Sequence, residues 1–101
     1  MVVSYHAVQR YLERAQVTLY EGIEKDIINK VQKARSIPAK EVKERFSSKN
    51  FNKSTSYRVW FSETVGANLL AIVVNDTIVT ILIERSAMWH RKKALIGIIQ
   101  D

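Results

Sequence analysis

The chain has 101 residues, 47% of them hydrophobic, which fits one core and leaves little room for a second. Cysteine is absent, which excludes disulfides, thiolate metal sites and a cysteine nucleophile and suits a reducing compartment such as the cytoplasm. The longest apolar run, Leu69 to Val74, is far shorter than the ~20 residues that cross a bilayer, and no signal-peptide pattern precedes it. We therefore expect a single soluble, cytoplasmic domain over residues 1–101.

The balance of charge is basic. Sixteen Lys and Arg residues oppose ten Asp and Glu residues, which gives a formal charge of +6 and a pI near 9.8. Such a surplus favours RNA or another polyanion as a partner, although surplus lysine can also serve solubility alone. Only His6 and His90 could supply imidazole, and no metal-binding motif is present, so neither a metal nor another cofactor is expected.

The N-terminal half has helical periodicity. Ser4 is a suitable N-cap, and the apolar side chains after it recur at helical spacing, which predicts a first helix over residues 5 to 15. The sequence from Thr18 to Glu21 matches a capping box, which predicts that a second helix begins there and ends near Ala34 or Arg35. The expected buried stripe of the second helix is Leu19, Ile23, Ile27 and Val31.

A third helix and a loop should follow. Proline fits the first turn of a helix but not its interior, so Pro38 predicts a short helix that ends at Phe46. The polar residues 47 to 55 have the composition of a connecting loop. Helical spacing gives way to strand spacing at this loop.

The C-terminal half has the patterns of a β-sheet. Alternating side chains predict a strand from Ser56, with Gly66 in the turn after it. Two apolar runs, 69 to 74 and 78 to 83, flank Asn75-Asp76, a pair that tolerates the positive φ of a tight hairpin turn. Both runs are apolar almost throughout, so their strands should be central and covered on both faces.

The order of these elements predicts an α+β fold. Two or three N-terminal helices should pack on one face of a three- or four-stranded antiparallel sheet. The final apolar stretch, Leu95 to Ile99, fits a further strand, a helix end or a homo-oligomer contact through residues 94–101. The pattern leaves these three readings open.

One face of the first helix carries candidate groups for chemistry on RNA. On a wheel of about 100° per residue, the side chains opposite the apolar stripe are His6, Arg10, Glu13 and Arg14. An imidazole can move a proton to or from a ribose hydroxyl, and fixed guanidiniums stabilise charge on a phosphate. A solvated helix face with an incidental histidine is the alternative reading.

The residues around this histidine resemble a known family. The segment from Ser4 to Arg14 resembles the opening Ser-x-His-Ala-x-x-Arg helix of small phage and bacterial proteins related to RelE-type toxins. The segment Val79-Thr80-Ile81-Leu82 is similar to the terminal Ile-Thr-Val-Leu strand of that group. The resemblance implies a RelE/barnase-like ribonuclease fold, in which helices pack on one face of a twisted antiparallel sheet and RNA lies across a basic surface.

Carried over residue by residue, the resemblance implies roles for three side chains. His6 would be the acid/base group, Arg10 would clamp the phosphate, and Thr80 would point into the site from its strand. Glu84 and His90 are candidates for a second acid/base group. Taken alone, Thr80 is more simply a β-branched strand residue.

A basic segment after the hairpin is a further candidate for contact with nucleic acid. Its residues are Arg85, Met88, Trp89, His90, Arg91, Lys92 and Lys93. Its cations can hold phosphates while the Trp89 indole stacks on an unpaired base; the alternative is a flap that packs over the sheet. Arg14 and Arg58 are the remaining candidates for nucleic-acid contact, and Trp60, on the same strand face as Arg58, is expected to pack against the first or second helix.

These features support two functional hypotheses, beside a third in which the protein is a structural or assembly component that self-associates through Leu95 to Ile99. The first is a metal-independent endoribonuclease, toxin-like or phage-encoded, with an antitoxin or host protein as a further partner. The second is a non-catalytic basic protein of phage or bacterial origin that binds nucleic acid or inhibits a host protein. Turnover of RNA in the presence of a chelator separates the two.

Overall fold

The computed structural model describes residues 1–46 and 55–84, which form three helices and one sheet. The helices are α1 (Tyr5–Ala15), α2 (Ile23–Lys33) and α3 (Ala39–Phe46). The strands are β1 (Val2–Val3), β2 (Arg35–Ser36), β3 (Thr55–Ser62), β4 (Ala67–Val74) and β5 (Thr77–Ile83). The predicted α+β fold is confirmed, whereas most of the predicted loop, 47–54, and the final stretch 94–101 lie outside the described residues.

The sheet has the strand order β1-β5-β4-β3-β2. Neighbouring strands are antiparallel except for β1 and β5, which are parallel. The described part of the sheet therefore has five strands where three or four were expected. The difference comes from β1 and β2 at the two edges, because a strand of two residues is too short to leave an alternating pattern in the sequence.

The hairpin of β4 and β5 is confirmed. Asn75 and Asp76 both have positive φ, 49° and 62°, which is the backbone of a two-residue turn that matches strand twist. The preceding turn contains Gly66, as predicted, with a φ of 66° and an N–H that donates to the Ser62 carbonyl at 2.8 Å. Burial on both faces of β4 explains why its sequence is apolar almost throughout.

The sheet separates two apolar cores. Alternate residues of a strand point to opposite faces, and in β4 one set packs with α1 and α2 while the other packs with α3. Leu69, Ala71 and Val73 belong to the first core, and Leu70 and Ile72 belong to the second. Two helices therefore share one face, as predicted, and α3 lies on the other.

A β-bulge changes the phase of β5. Val73 lies opposite Ile78, but the next pair is Ile72 with Thr80, so Val79 is the extra residue. Ile78 and Ile81 both belong to the core under α1 and α2, whereas Val79 packs with the core under α3. The bulge therefore decides which face each side chain of β5 reaches.

The start of α1 is attached to β5 through Ser4. The Ser4 hydroxyl accepts a hydrogen bond from the Ala7 N–H at 3.0 Å, as the predicted N-cap requires, and donates to the Val79 carbonyl at 3.1 Å. The Ser4 N–H donates to the Ile78 carbonyl at 3.0 Å. These bonds set the position of the first turn of α1, and with it the position of His6.

The second helix begins later than predicted. Gln16 ends α1 in the left-handed conformation, residues 17–20 are not helical, and α2 starts at Ile23 after Gly22, whose φ is 88°. The prediction of a capping box at Thr18 was therefore wrong, and Leu19 is 71% exposed instead of buried. Residues 16–22 instead connect α1 to α2, and Gly22 allows the left-handed backbone at the N-cap of α2.

The helices are short, at 8 to 11 residues. The prediction of α3 is confirmed, because the Pro38 carbonyl accepts from the N–H groups of Glu41 and Val42 and the helix ends at Phe46.

None of the helices within 1–46 and 55–84 is long and apolar enough to cross a membrane.

Replacing Ser4 by alanine should destabilise the fold by about 2 kcal/mol, because the substitution removes both the N-cap and the bond to β5. Ser4→Asp keeps an acceptor for the Ala7 N–H but loses the donor to Val79, so we expect an intermediate loss. Urea unfolding gives both values. Ser36→Ala, at an exposed position of β2, is the control and should change stability by less than about 0.5 kcal/mol; equal losses at both positions would contradict the role of Ser4.

Candidate nucleic-acid interface

Helix α1 divides the Ser-x-His-Ala-x-x-Arg motif between the core and the solvent. Ala7, Tyr11 and Ala15 are no more than 5% exposed and pack over the sheet. His6 is exposed on the outer side, as expected. Within 1–46 and 55–84, the His6 imidazole forms no hydrogen bond or ion pair with another residue, so it is available to a ligand.

Two arginines of α1 share one carboxylate. The Glu13 Oε2 atom accepts from Arg10 Nη1 at 2.8 Å and from Arg14 Nη1 at 3.3 Å. Ion pairs at such exposed positions contribute about 0–1 kcal/mol, so Glu13 holds the two guanidiniums only weakly. The Arg14 side chain is 26% exposed, and its Nε atom is buried without an acceptor among the described residues.

Thr80 lies on the other side of the sheet from α1. It is directly opposite Ile72, whose side chain belongs to the core under α3, and opposed residues of an antiparallel pair project from the same face. The structure therefore brings His6 and Arg10 together on one helix but does not bring Thr80 to them. The β-bulge at Val79 produces this arrangement.

Glu84 also belongs to the α3 side. Its carboxylate accepts from Arg45 Nε and from Asn68 Nδ2, both at 2.8 Å, and its N–H donates to the Asn68 carbonyl at 3.0 Å. Arg45 donates to Glu41 as well, at 2.8 Å. The hydrogen bond from Arg45 lowers the pKa of Glu84, so its carboxylate is ionised at neutral pH and joins α3 to the end of β5.

Arg58 binds the C-terminal end of α2. It projects from β3 on the side of α1 and α2, and its Nη1 atom donates to the carbonyl of Ala34, the C-cap of α2, at 3.4 Å. A cation there interacts favourably with the helix dipole. The Arg58 guanidinium therefore forms its described hydrogen bond within the protein. Its contact with nucleic acid stays a prediction.

A cleft of about 340 Å³ lies between the end of α1, α2 and the end of β3. Its lining includes Tyr11, Lys30, Trp60, Phe61 and Glu63. Trp60 packs against the core under α1 and α2, as predicted, while Phe61 is 60% exposed. Burial, with a smaller effect of the Asp26 charge, raises the pKa of Tyr11. The cleft combines aromatic surfaces with one cation and one carboxylate.

Most of the surplus positive charge lies outside the described residues. Residues 1–46 and 55–84 contain ten of the sixteen Lys and Arg residues and nine of the ten Asp and Glu residues, a formal charge of +1 out of the total of +6. The predicted contacts Arg85, Trp89, His90, Arg91, Lys92 and Lys93 all lie outside the described residues. The described fold is thus nearly neutral, and Arg10 and Arg14 form a local basic site on it.

No family model, curated protein or solved structure matched this chain. The resemblance to RelE-like ribonucleases therefore stays a prediction from the residues that carry it. In the described part of the chain, no group of three or more His, Cys, Asp or Glu side chains is arranged to hold a metal ion.

Sequence reasoning missed the cleft. Tyr11 has the spacing of a core residue of α1 and Phe61 lies in an alternating strand, and neither pattern by itself indicates a cleft. The available signal was the run Trp60-Phe61 at the end of a strand, because two adjacent aromatic residues cannot both face the same core. Which helix would lie beside them was set by tertiary packing.

Replacing Glu84 by glutamine should destabilise the protein at pH 7 by about 1 kcal/mol, because hydrogen bonds to charged groups are stronger than neutral ones. The folded-state pKa of Glu84 is lowered, so its contribution is present above the ordinary pKa of 4.5 and is lost as the pH falls below that value. The difference between wild type and Glu84→Gln in urea unfolding should therefore shrink from pH 6 towards about pH 3. A difference in stability that stays constant over this pH range would contradict the ionised Arg45–Glu84 pair. Glu44→Gln, at an exposed position of α3, is the control.

Proposed function

We propose that the protein binds RNA through the outer face of α1 together with the basic segment 85–93. The RNA backbone would lie along His6, Arg10 and Arg14, and the cations of the segment would neutralise further phosphates. The resemblance of the α1 motif to RelE-like ribonucleases supports RNA as the polyanion. Phosphate contacts of this kind supply affinity with little sequence preference.

The observation that carries the proposal is the division of roles within the α1 motif. Ser4 and Ala7 have structural roles, since one caps the helix and bonds β5 and the other is fully buried against the sheet. His6 and Arg10 have no comparable role, because His6 is exposed without a described partner and Arg10 pairs only with Glu13 on the surface. Side chains that a fold does not need are the ones available to a ligand.

Cleavage of RNA is the second candidate, favoured by the exposed imidazole of His6 one helical turn from Arg10. In that reaction a base removes the 2′-hydroxyl proton, the 2′-oxygen attacks phosphorus, and an acid protonates the departing 5′-oxygen, leaving a 2′,3′-cyclic phosphate. Among the described residues, the other candidates for these roles, Thr80 and Glu84, lie on the α3 side of the sheet. Binding is therefore our conclusion, and cleavage requires a second proton-transfer group.

The first test removes the carboxylate that competes with phosphate. Glu13→Gln should bind single-stranded RNA about two- to tenfold more tightly, because both guanidiniums then lose their competing anion and face the backbone. Fluorescence anisotropy of a labelled oligoadenylate, measured between about 50 and 200 mM salt, gives the affinity and its salt dependence.

Glu44→Gln is the matched control, since it removes the same charge from an exposed position on α3, on the other side of the sheet. This control separates a local effect from a change in net charge. Equal gains from the two substitutions, or no gain from Glu13→Gln, would contradict an RNA site on the outer face of α1.

The second test asks whether RNA is cleaved. If His6 transfers a proton, wild-type protein should produce cyclic-phosphate ends in the presence of a chelator, and His6→Ala should lower the rate by about 10²-fold or more. Gln9→Ala, at an exposed position on the same helix, is the control. Bound but intact RNA with wild type selects the non-catalytic function, and full activity in folded His6→Ala would exclude the imidazole from the reaction.

A further inference from the structure

The cleft between α1, α2 and the end of β3 has the size of a small-ligand site. Its volume of about 340 Å³ lies at the lower end of the range of such pockets, roughly 300–1,000 Å³. The lining consists of Tyr11 and Ala15 of α1, Val17 after that helix, Lys30 of α2, and residues 60–64 at the end of β3 and in the turn after it. A single planar group fits this space, whereas a helix or a folded partner does not.

The lining also has the chemistry of a nucleobase site. Trp60 is half-buried against the core, so its indole is held in place and loses little freedom when a ring stacks on it. Phe61 is exposed beside it. Lys30 supplies a cation for a neighbouring phosphate, and Glu63 supplies an acceptor for an exocyclic amino group.

The cleft adjoins the arginines of the proposed RNA surface. At about 100° per residue, Arg14 lies between Arg10 and Tyr11 around the axis of α1. Tyr11 lines the cleft, and the Nε atom of Arg14 is a buried donor that finds no acceptor within the described ranges. A nucleotide whose phosphate contacts Arg14 can therefore place its base in the cleft.

We propose that this cleft binds one unpaired nucleobase of the RNA, stacked on Trp60, while the flanking phosphates contact Arg10, Arg14 and Lys30. The inference rests on the proposed function and adds a base-binding subsite to it. Stacking on an aromatic side chain contributes about 1–3 kcal/mol per base and tolerates different sequences. The site would thus select single-stranded over paired RNA.

An abasic oligomer separates base binding from backbone binding. It keeps the charge and length of an oligoadenylate but has no ring to place in the cleft. Adenine is a suitable probe because it has a large stacking face and an N6 amino group that Glu63 can accept from. Wild-type protein should bind oligoadenylate about tenfold more tightly than the abasic oligomer, as one stacked base requires.

Filling the cleft should remove this preference. Thr64 is an exposed residue of the lining, and Thr64→Trp places a ring in the space that the base would occupy. Thr18→Trp adds the same side chain at an exposed position of the loop between α1 and α2, outside the cleft, and is the matched control. The ratio of the two affinities should fall towards one in Thr64→Trp and stay near tenfold in Thr18→Trp.

The outcomes distinguish the subsite from the proposed function. Equal affinity of wild type for the two oligomers would overturn the subsite and leave RNA binding intact, and a preference unaffected by Thr64→Trp would place the stacking elsewhere. If neither oligomer binds, the proposed function fails, and a titration with adenosine 5′-monophosphate decides the subsite. Shifts in the NMR signals of the Trp60 indole and Lys30 amide would support it, and their absence would overturn it.

Discussion

The attachment of α1 to β5 is the constraint on which the rest of the arrangement depends. One hydroxyl, that of Ser4, caps the helix and bonds the strand, and Ala7 is completely buried where the helix meets the sheet. Because Ser4 and Ala7 are held in this way, the helical period places His6 and Arg10 on the side of α1 that faces away from the sheet. The core-facing and solvent-facing parts of the motif are thus two consequences of one packing contact.

The sheet acts as a partition between two surfaces. The side of α1 and α2 carries the exposed histidine, the paired arginines and the aromatic cleft, while the side of α3 carries Thr80 and the Arg45–Glu84 pair. A carboxylate held by two donors at 2.8 Å stabilises the end of β5 but is a poor proton donor. This separation is the reason why we propose RNA binding and not RNA cleavage.

The distribution of charge gives the two parts of the proposed interface different tasks. The described residues are nearly neutral, so in the proposed complex the attraction of RNA over distance would depend mainly on the cations in 47–54 and 85–101. The face of α1 and the cleft would then set where the backbone and one base lie. Affinity would come from the first part, and preference for unpaired RNA from the second.

Local patterns by themselves determined α1, α3, the Asn75-Asp76 hairpin and the outward position of His6, because periodicity and turn chemistry act over a few residues. The same reasoning placed the start of α2 too early, at Thr18, since a capping-box pattern is local and the helix starts only after the left-handed Gly22. Only the tertiary structure decided the two edge strands, the face that Thr80 reaches, the partners of Glu84 and the cleft at Trp60. These depend on strand register and on contacts between residues far apart in the chain, which a single sequence does not encode in any local pattern.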